Sequence, residues 1–387
     1  MPTIDWHDTL AELIAHNSIS SGDPAWDTGT RPVAEALANR LEDAGLTCAL
    51  EPLATRDDKV NLIATTGGTA SITNDSAGLV LAGHLDTVPF DPDGWSFDPF
   101  TLTAANERLY GLGSCDMKGF VAIAAAVASE YTANQLDRPL TLAFTADEES
   151  GMDGAQALTA AHQKLAPYCV IGEPTDLTPV RRHKGIFMET IETVGCAGHS
   201  SNPALGANAI DAMRVAMNAI TELRAELAAT PAPGFPVEHA TLNLGAIHGG
   251  DSANRIPARC RLDIDLRFLP GEHIADHRRL LRQRVADAVA TTDCAVEFSE
   301  LFDGTPAFET PTDSPLVTAC ETQCGREAAA VDFGTEGAFY NRAGMASVIL
   351  GPGSINQAHQ PNEYLALAQI TPMQRILHGL IQQFCID

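Results

Sequence analysis

The sequence predicts an α/β protein: a mostly parallel sheet with helices on its faces, interrupted by an inserted ferredoxin-like α+β domain. Three observations carry this expectation. Residues 9–174 alternate amphipathic helices with short apolar β-rich runs, the pattern of a parallel sheet covered on both faces. Residues 185–302 change to the order β-α-β-β-α-β, with the two-residue alternation of a sheet wet on one face. After about residue 302 the first pattern returns. The expected organisation is a discontinuous larger domain over 1–181 and 303–387, an insert over 182–302, and hinges near 181–185 and 302–306.

The elements follow in order. TLAELIAHNSI (9–19) and RPVAEALANRLEDAG (31–45) read as amphipathic helices, the second closed by Gly45. NLIATT (61–66) and GLVLAGH (78–84) read as buried strands, MKGFVAIAAAVASEY (117–131) as an Ala-rich helix, and TLAFTA (141–146) and YCVIGEP (168–174) as two more buried strands. In the insert, strands over 185–196, 239–250, 258–268 and 295–302 are spaced by helices over 207–228 and 275–290. SPLVTACETQ as a helix, ASVILGPG as a strand and QITPMQRILHGLIQQF as a helix complete the larger domain.

Composition narrows the class. The chain has 387 residues, is 45% apolar and 19% charged, and carries a net charge of −26, which argues against nucleic acid or an anionic membrane surface as partner. The N-terminus lacks the basic and apolar regions of a secretory signal. The most apolar stretch, GFVAIAAAVAS (119–129), is roughly half of what a membrane span needs. Nine cysteines without a CxxC pair fit free thiols in a reducing compartment, so a soluble cytoplasmic protein is expected.

In open parallel sheets, sites lie beyond the carboxyl ends of the strands. Polar residues close the apolar runs there: His84 and Asp86 in GHLDTVP, Asp116 in GSCDMKG, Asp147, Glu148 and Glu149 in TADEESG, Glu173 in GEPT, and His359 in QAHQPNE. Singly, each has a structural explanation; Asp116, for example, could cap the following helix. Together they put two histidines and several carboxylates at one sheet edge. Such carboxylates repel and cannot all stay ionised without cations. Mixed imidazole and carboxylate donors suit zinc or a comparable divalent ion, with enough groups for two ions and a spare acid/base. Neighbours at an extended strand end point to opposite sides, so Glu148 and Glu149 are expected to do different work, with Asp147 structural.

GHLDTVP, GLGSCDMKG, DEES, IGEPT and GPGSINQAHQPNEY, in this order, resemble the M20 family of zinc-dependent amidohydrolases and peptidases. The resemblance spans nearly the whole chain. It implies His84, Asp116, Glu149, Glu173 and His359 as ligands of two divalent ions, zinc or cobalt, with Asp116 bridging. It also implies Asp86 as the carboxylate that orients His84, and Glu148 as general base. Leu112 stands where many members carry Arg, which touches a local contact and not the ligand. In the insert, His199 of GCAGHSSNP matches a histidine that helps hold the oxyanion, and Asn254 and Arg255 of SANRIPA match a position that binds a substrate carboxylate. The insert is further implied to act as a lid and to join a homodimer. Three stretches, 171–185, 265–271 and 350–365, bring the resemblance nearest to members that hydrolyse N-acetyl-L-ornithine to ornithine and acetate in arginine biosynthesis. Desuccinylation of succinyl-diaminopimelate, a broader N-acyl-amino-acid or dipeptide hydrolysis, and a non-catalytic amino-acid-binding relative are the alternatives.

Overall fold

Six strands set the frame of the larger unit in the computed structural model, which describes residues 2–66, 78–162 and 165–386. In spatial order they are Thr47–Leu53, Arg56–Thr66, Leu140–Thr145, Leu79–His84, Tyr168–Pro174 and Ala346–Gly351, with short strands continuing the sheet beyond the last. The middle is parallel: Leu79–His84 pairs in parallel with both Leu140–Thr145 and Tyr168–Pro174, and Ala346–Gly351 pairs in parallel with the latter. The two strands at the Thr47 edge are antiparallel. Leu79–His84 and Leu140–Thr145 are buried along their whole length, which is why they read as continuous apolar runs.

Helix Lys118–Ser129 is buried at all twelve positions, the outcome of an alanine-rich helix that is apolar on every side. Gly119 lets it approach closely, since a Cβ there would lie 2.3 Å from the Ser114 carbonyl oxygen. Helix Trp6–Ala15 starts earlier than the expected 9–19 because the Asp5 carboxylate accepts from the His7 and Asp8 amides and caps it. It also ends earlier, and Ile19 forms a parallel bridge with Thr87 instead. Helix Asp153–His162 and strand Thr47–Leu53 lie outside the sequence expectations.

The chain divides into two compact units: Met1–Arg181, Glu309–Ala329 and Thr335–Asp387 form one, Arg182–Phe308 and Ala330–Gly334 the other. The second unit runs past the expected 302 because the strand from Ala295 continues through two register shifts to Thr305. Its four strands lie in the order Thr241–Gly249, Arg259–Phe268, Gly185–Val194, Ala295–Thr305, all antiparallel, which is the ferredoxin-like arrangement. Helices Ala209–Ala228 and Ile274–Val289 supply Met213, Ile220, Leu281 and Val285 to a core with Phe187, Ile191, Leu262 and Leu266. The fully buried Glu189 carboxylate accepts from Arg278 and Arg282. Segment 330–334 joins this unit through Asp332, 2.8 Å from the buried Lys184 ammonium, which also donates to the Val237 and His239 carbonyls.

Candidate metal centre

The parallel ladder puts His84 opposite Thr145 at the carboxyl end of two neighbouring strands, with Glu173 near the end of a third. His84 is buried. Its Nδ1 lies 3.0 Å from the Asp86 main-chain oxygen, so that nitrogen carries the proton and Nε2 is left as a donor atom, 3.2 Å from Asp116 Oδ1. The Asp86 side chain was expected to orient this ring; its Oδ1 stands back at 3.7 Å from Nδ1. The carboxylate instead accepts the backbone amides of Glu148, at 3.2 Å, and Glu149, at 3.1 Å. Asp86 therefore holds the ring with its carbonyl and the acidic turn with its side chain.

That turn differs from the extended strand end expected. The strand stops at Thr145, and Asp147 takes φ of +59°, in the left-handed region. Glu148 and Glu149 diverge because the chain turns, not because a strand alternates. The Asp147 carboxylate accepts from Ser20 Oγ and from Lys59 Nζ, each at 2.5 Å. Lys59 is buried and pairs also with Asp27 at 2.8 Å.

Donor atoms of His84, Asp116 and Glu149 lie within 4.8 Å of one another, as do those of His84, Glu148 and Glu173. His359 adds Nε2 at 3.1 Å from Glu149 Oε2 and 3.6 Å from Asp116 Oδ2, so the Asp116 carboxylate sits between the two imidazoles. Burial, reinforced by the neighbouring carboxylates, pushes Glu148 and Glu173 well above the usual carboxylate range and raises Glu149. Burial opposes the charged form of His84, but the Asp116 hydrogen bond and the surrounding acids outweigh it and hold the ring well above its ordinary value. The Glu149 hydrogen bond raises His359 to about 9. Glu173 Oε1 is buried without a hydrogen-bond donor. A buried acceptor with no donor, among crowded carboxylates and two imidazoles, fits divalent cations.

His199, Asn254 and Arg255 belong to the second unit. His199 pairs with Arg255 across a two-residue antiparallel ladder. Its Nδ1 accepts from the Ser201 amide at 3.2 Å and lies 2.8 Å from Ser201 Oγ, which puts the proton of the neutral ring on Nε2. Arg255 is exposed and paired with Asp251, and Asn254 Oδ1 accepts from Ser252 Oγ at 2.6 Å.

Three residues around the centre escaped the sequence reading. Lys59 anchors Asp147, and its only sequence signal is its scarcity, one of four lysines at the start of an apolar run. Glu336 is fully buried and accepts from Thr145 Oγ1 at 2.6 Å, beneath the strand end beside His84. Glu363 is buried four residues after His359 and accepts backbone amides near Asp116. Both acids lie within motif-like stretches, GTEG (334–337) and HQPNEY (359–364), that could have flagged them.

Among the described residues, no helix is long and apolar enough to cross a membrane. The model of peptidase family M20/M25/M40 matches residues 80–383. An acetylornithine deacetylase of Aliivibrio salmonicida is 41% identical over 97% of both chains, and one of Edwardsiella ictaluri is 42% identical over 96% of both. The fold is similar to that of an M20 family metallo-carboxypeptidase from Sulfolobus solfataricus, with a TM-score of 0.76 and 19% identity over 98% of this chain and 99% of that one. The match over nearly the whole length, on the same sheet edge that gathers the histidines and acids, leads to one conclusion: the chain belongs to peptidase family M20/M25/M40 and is a metal-dependent amidohydrolase.

Proposed function

We propose that this protein hydrolyses N-acetyl-L-ornithine to L-ornithine and acetate, a step of arginine biosynthesis. The observation that carries the reading is identity of about 40% to acetylornithine deacetylases over essentially the full chain. His84, Asp116, Glu149, Glu173 and His359 would hold two divalent ions, with Asp116 shared. Two imidazoles among carboxylates favour zinc, and cobalt suits the same donors. When bound, the ions supply Lewis acidity that acidifies water and polarises a carbonyl.

The chain's own residues do the rest. Glu148, whose carboxyl burial has already made basic, takes a proton from the attacking water and passes it to the leaving amine. His199, with its proton on Nε2, is suited to donate to the developing oxyanion. Arg255 and Asn254 take the substrate's free carboxylate, for which a planar guanidinium is the better partner. The second unit is proposed as a lid and as the element that joins a homodimer. Its outer strand Thr241–Gly249 exposes half of Ile247, which supports an interface there. All nine cysteines are free, which favours a cytoplasmic location.

The deciding experiment compares kcat/KM for N-acetyl-L-ornithine, N-succinyl-diaminopimelate and other N-acetyl amino acids, with zinc or cobalt added. N-acetyl-L-ornithine should lead by at least tenfold; preference for the succinylated diacid, or equal rates throughout, would overturn the substrate assignment.

A further inference from the structure

We infer that Glu363 is a positioning residue of the centre, setting the loop of Asp116 against the turn of His359. Its side chain is buried and works wholly on backbone. Oε1 accepts from the Cys115 amide at 2.7 Å and the Asp116 amide at 2.9 Å, and Oε2 accepts from the Gly113 amide at 2.9 Å. Three amides converging on one carboxylate form an anion-binding nest, which the chain fills with its own acid. Gly113 takes φ of +81° to build it. The main chain adds to the grip: the Glu363 carbonyl accepts from the Gly111 amide at 3.2 Å.

The other end of this attachment is covalent. His359 and Glu363 belong to one short stretch, with His359 and Asn362 both at positive φ and the Asn362 side chain accepting from the Ser96 amide at 2.7 Å. Fixing Glu363 on the 113–116 loop therefore fixes where His359 emerges. The two side chains it aligns, Asp116 and His359, stand 3.6 Å apart at Oδ2 and Nε2. Asp86 does the same for Glu148 and Glu149 by accepting their amides. The Asp116 loop and the Glu148–Glu149 turn are thus each held by a buried carboxylate outside the proposed ligand set.

The inference rests on Asp116 and His359 being ligands, so the test separates the two. Metal-stripped wild type, His359→Ala, Glu363→Gln and Glu363→Asp are titrated with zinc by calorimetry, and the melting of each stripped protein is recorded. Gln keeps the length but sets an NH2 group against one of the three amides; Asp keeps the charge but falls short of the nest. The Gln variant should bind the second zinc about tenfold to a hundredfold more weakly than wild type, as expected for loss of an outer partner of a ligand, and the Asp variant should weaken it in the same direction. Glu363→Gln with wild-type zinc affinity, or with lowered melting and unchanged affinity, would overturn the inference. Should Glu363→Gln not fold, the Asp variant decides by the same comparison. Wild type that takes up no zinc, or His359→Ala that still binds two as tightly, would overturn the ligand reading and this inference with it.

Discussion

Replacing Lys59 by Met removes a buried ammonium and leaves its aliphatic stem in place. The cation lies 2.8 Å from Asp27 and 2.5 Å from Asp147, and its side chain is 1% exposed. After the change Asp27 keeps Arg56 and the Ser21 amide, but Asp147 keeps Ser20 Oγ as its side-chain partner. Breaking a buried ion pair from one side costs about 3–5 kcal/mol. The two carboxylates here are 13% and 14% exposed, so water offsets part of that, and the lower figure, about 3 kcal/mol, applies. For a unit of this size that corresponds to a melting decrease of roughly 6–12 °C. Asp147→Asn in the Lys59→Met background removes the stranded charge, so the double variant should be more stable than the two single losses added together, by about 1–3 kcal/mol. Because Asp147 opens the turn of Glu148 and Glu149, hydrolysis should fall too, by up to about a hundredfold in kcat if the turn shifts by about 1 Å. Thermal unfolding by circular dichroism and steady-state hydrolysis read both effects. Lys59→Met that melts and turns over like wild type, or strict additivity in the double variant, would refute the role given to this pair.

Glu148→Gln should keep its metal content by elemental analysis and lose about 10²–10⁴-fold in kcat, the contribution of a general base; near-normal turnover would remove Glu148 from that role. Burial pushes the Glu336 carboxyl from 4.5 up to about 7, so the folded protein keeps a proton that the unfolded chain releases. The stability carried by that proton is present below pH 4.5 and is lost as the pH rises to about 7, a change on the order of 3 kcal/mol. Glu336→Gln should therefore flatten the fall in melting temperature between pH 4.5 and 8, and an unchanged slope counts against the neutral buried acid. Arg255→Lys, losing the planar fork, should raise KM for a substrate with a free carboxylate about tenfold while kcat changes less; equal KM would detach Arg255 from substrate binding.

What could be read from the sequence was whatever burial writes into residue type. Leu79–His84 and Leu140–Thr145 are buried throughout and so stood out as apolar runs, and the polar residues closing them marked the sheet edge. Strand Thr47–Leu53 was hidden because it is half-exposed, lies at the sheet edge and contains Pro52. Helix Asp153–His162 buries only Gly154, Ala155 and Leu158, too narrow a stripe to read as helical periodicity. Asp86 is legible as a partner of His84, but a sequence does not show that its carbonyl makes the nearer contact to the ring while its carboxylate holds the acidic turn. Lys59 and Glu363 were missed for a related reason. One finds its partner 88 residues away, and the other binds amides that every residue possesses.

The separation along the chain between Glu149 and His359, 210 residues, bears on biosynthesis. His84, Asp116, Glu149 and Glu173 leave the ribosome first, then the whole of 182–308, and only afterwards His359 and Glu363. A nascent chain therefore carries a crowded, buried-to-be set of acids for the time it takes to make roughly half its length. The strap from Glu363 and the second imidazole arrive together, four residues apart. Synthesis of the 359–363 stretch thus brings the last proposed ligand and the carboxylate that positions it to acids made much earlier, together with the strand Ala346–Gly351 and the helix Ile370–Ile381 that complete the sheet and the core.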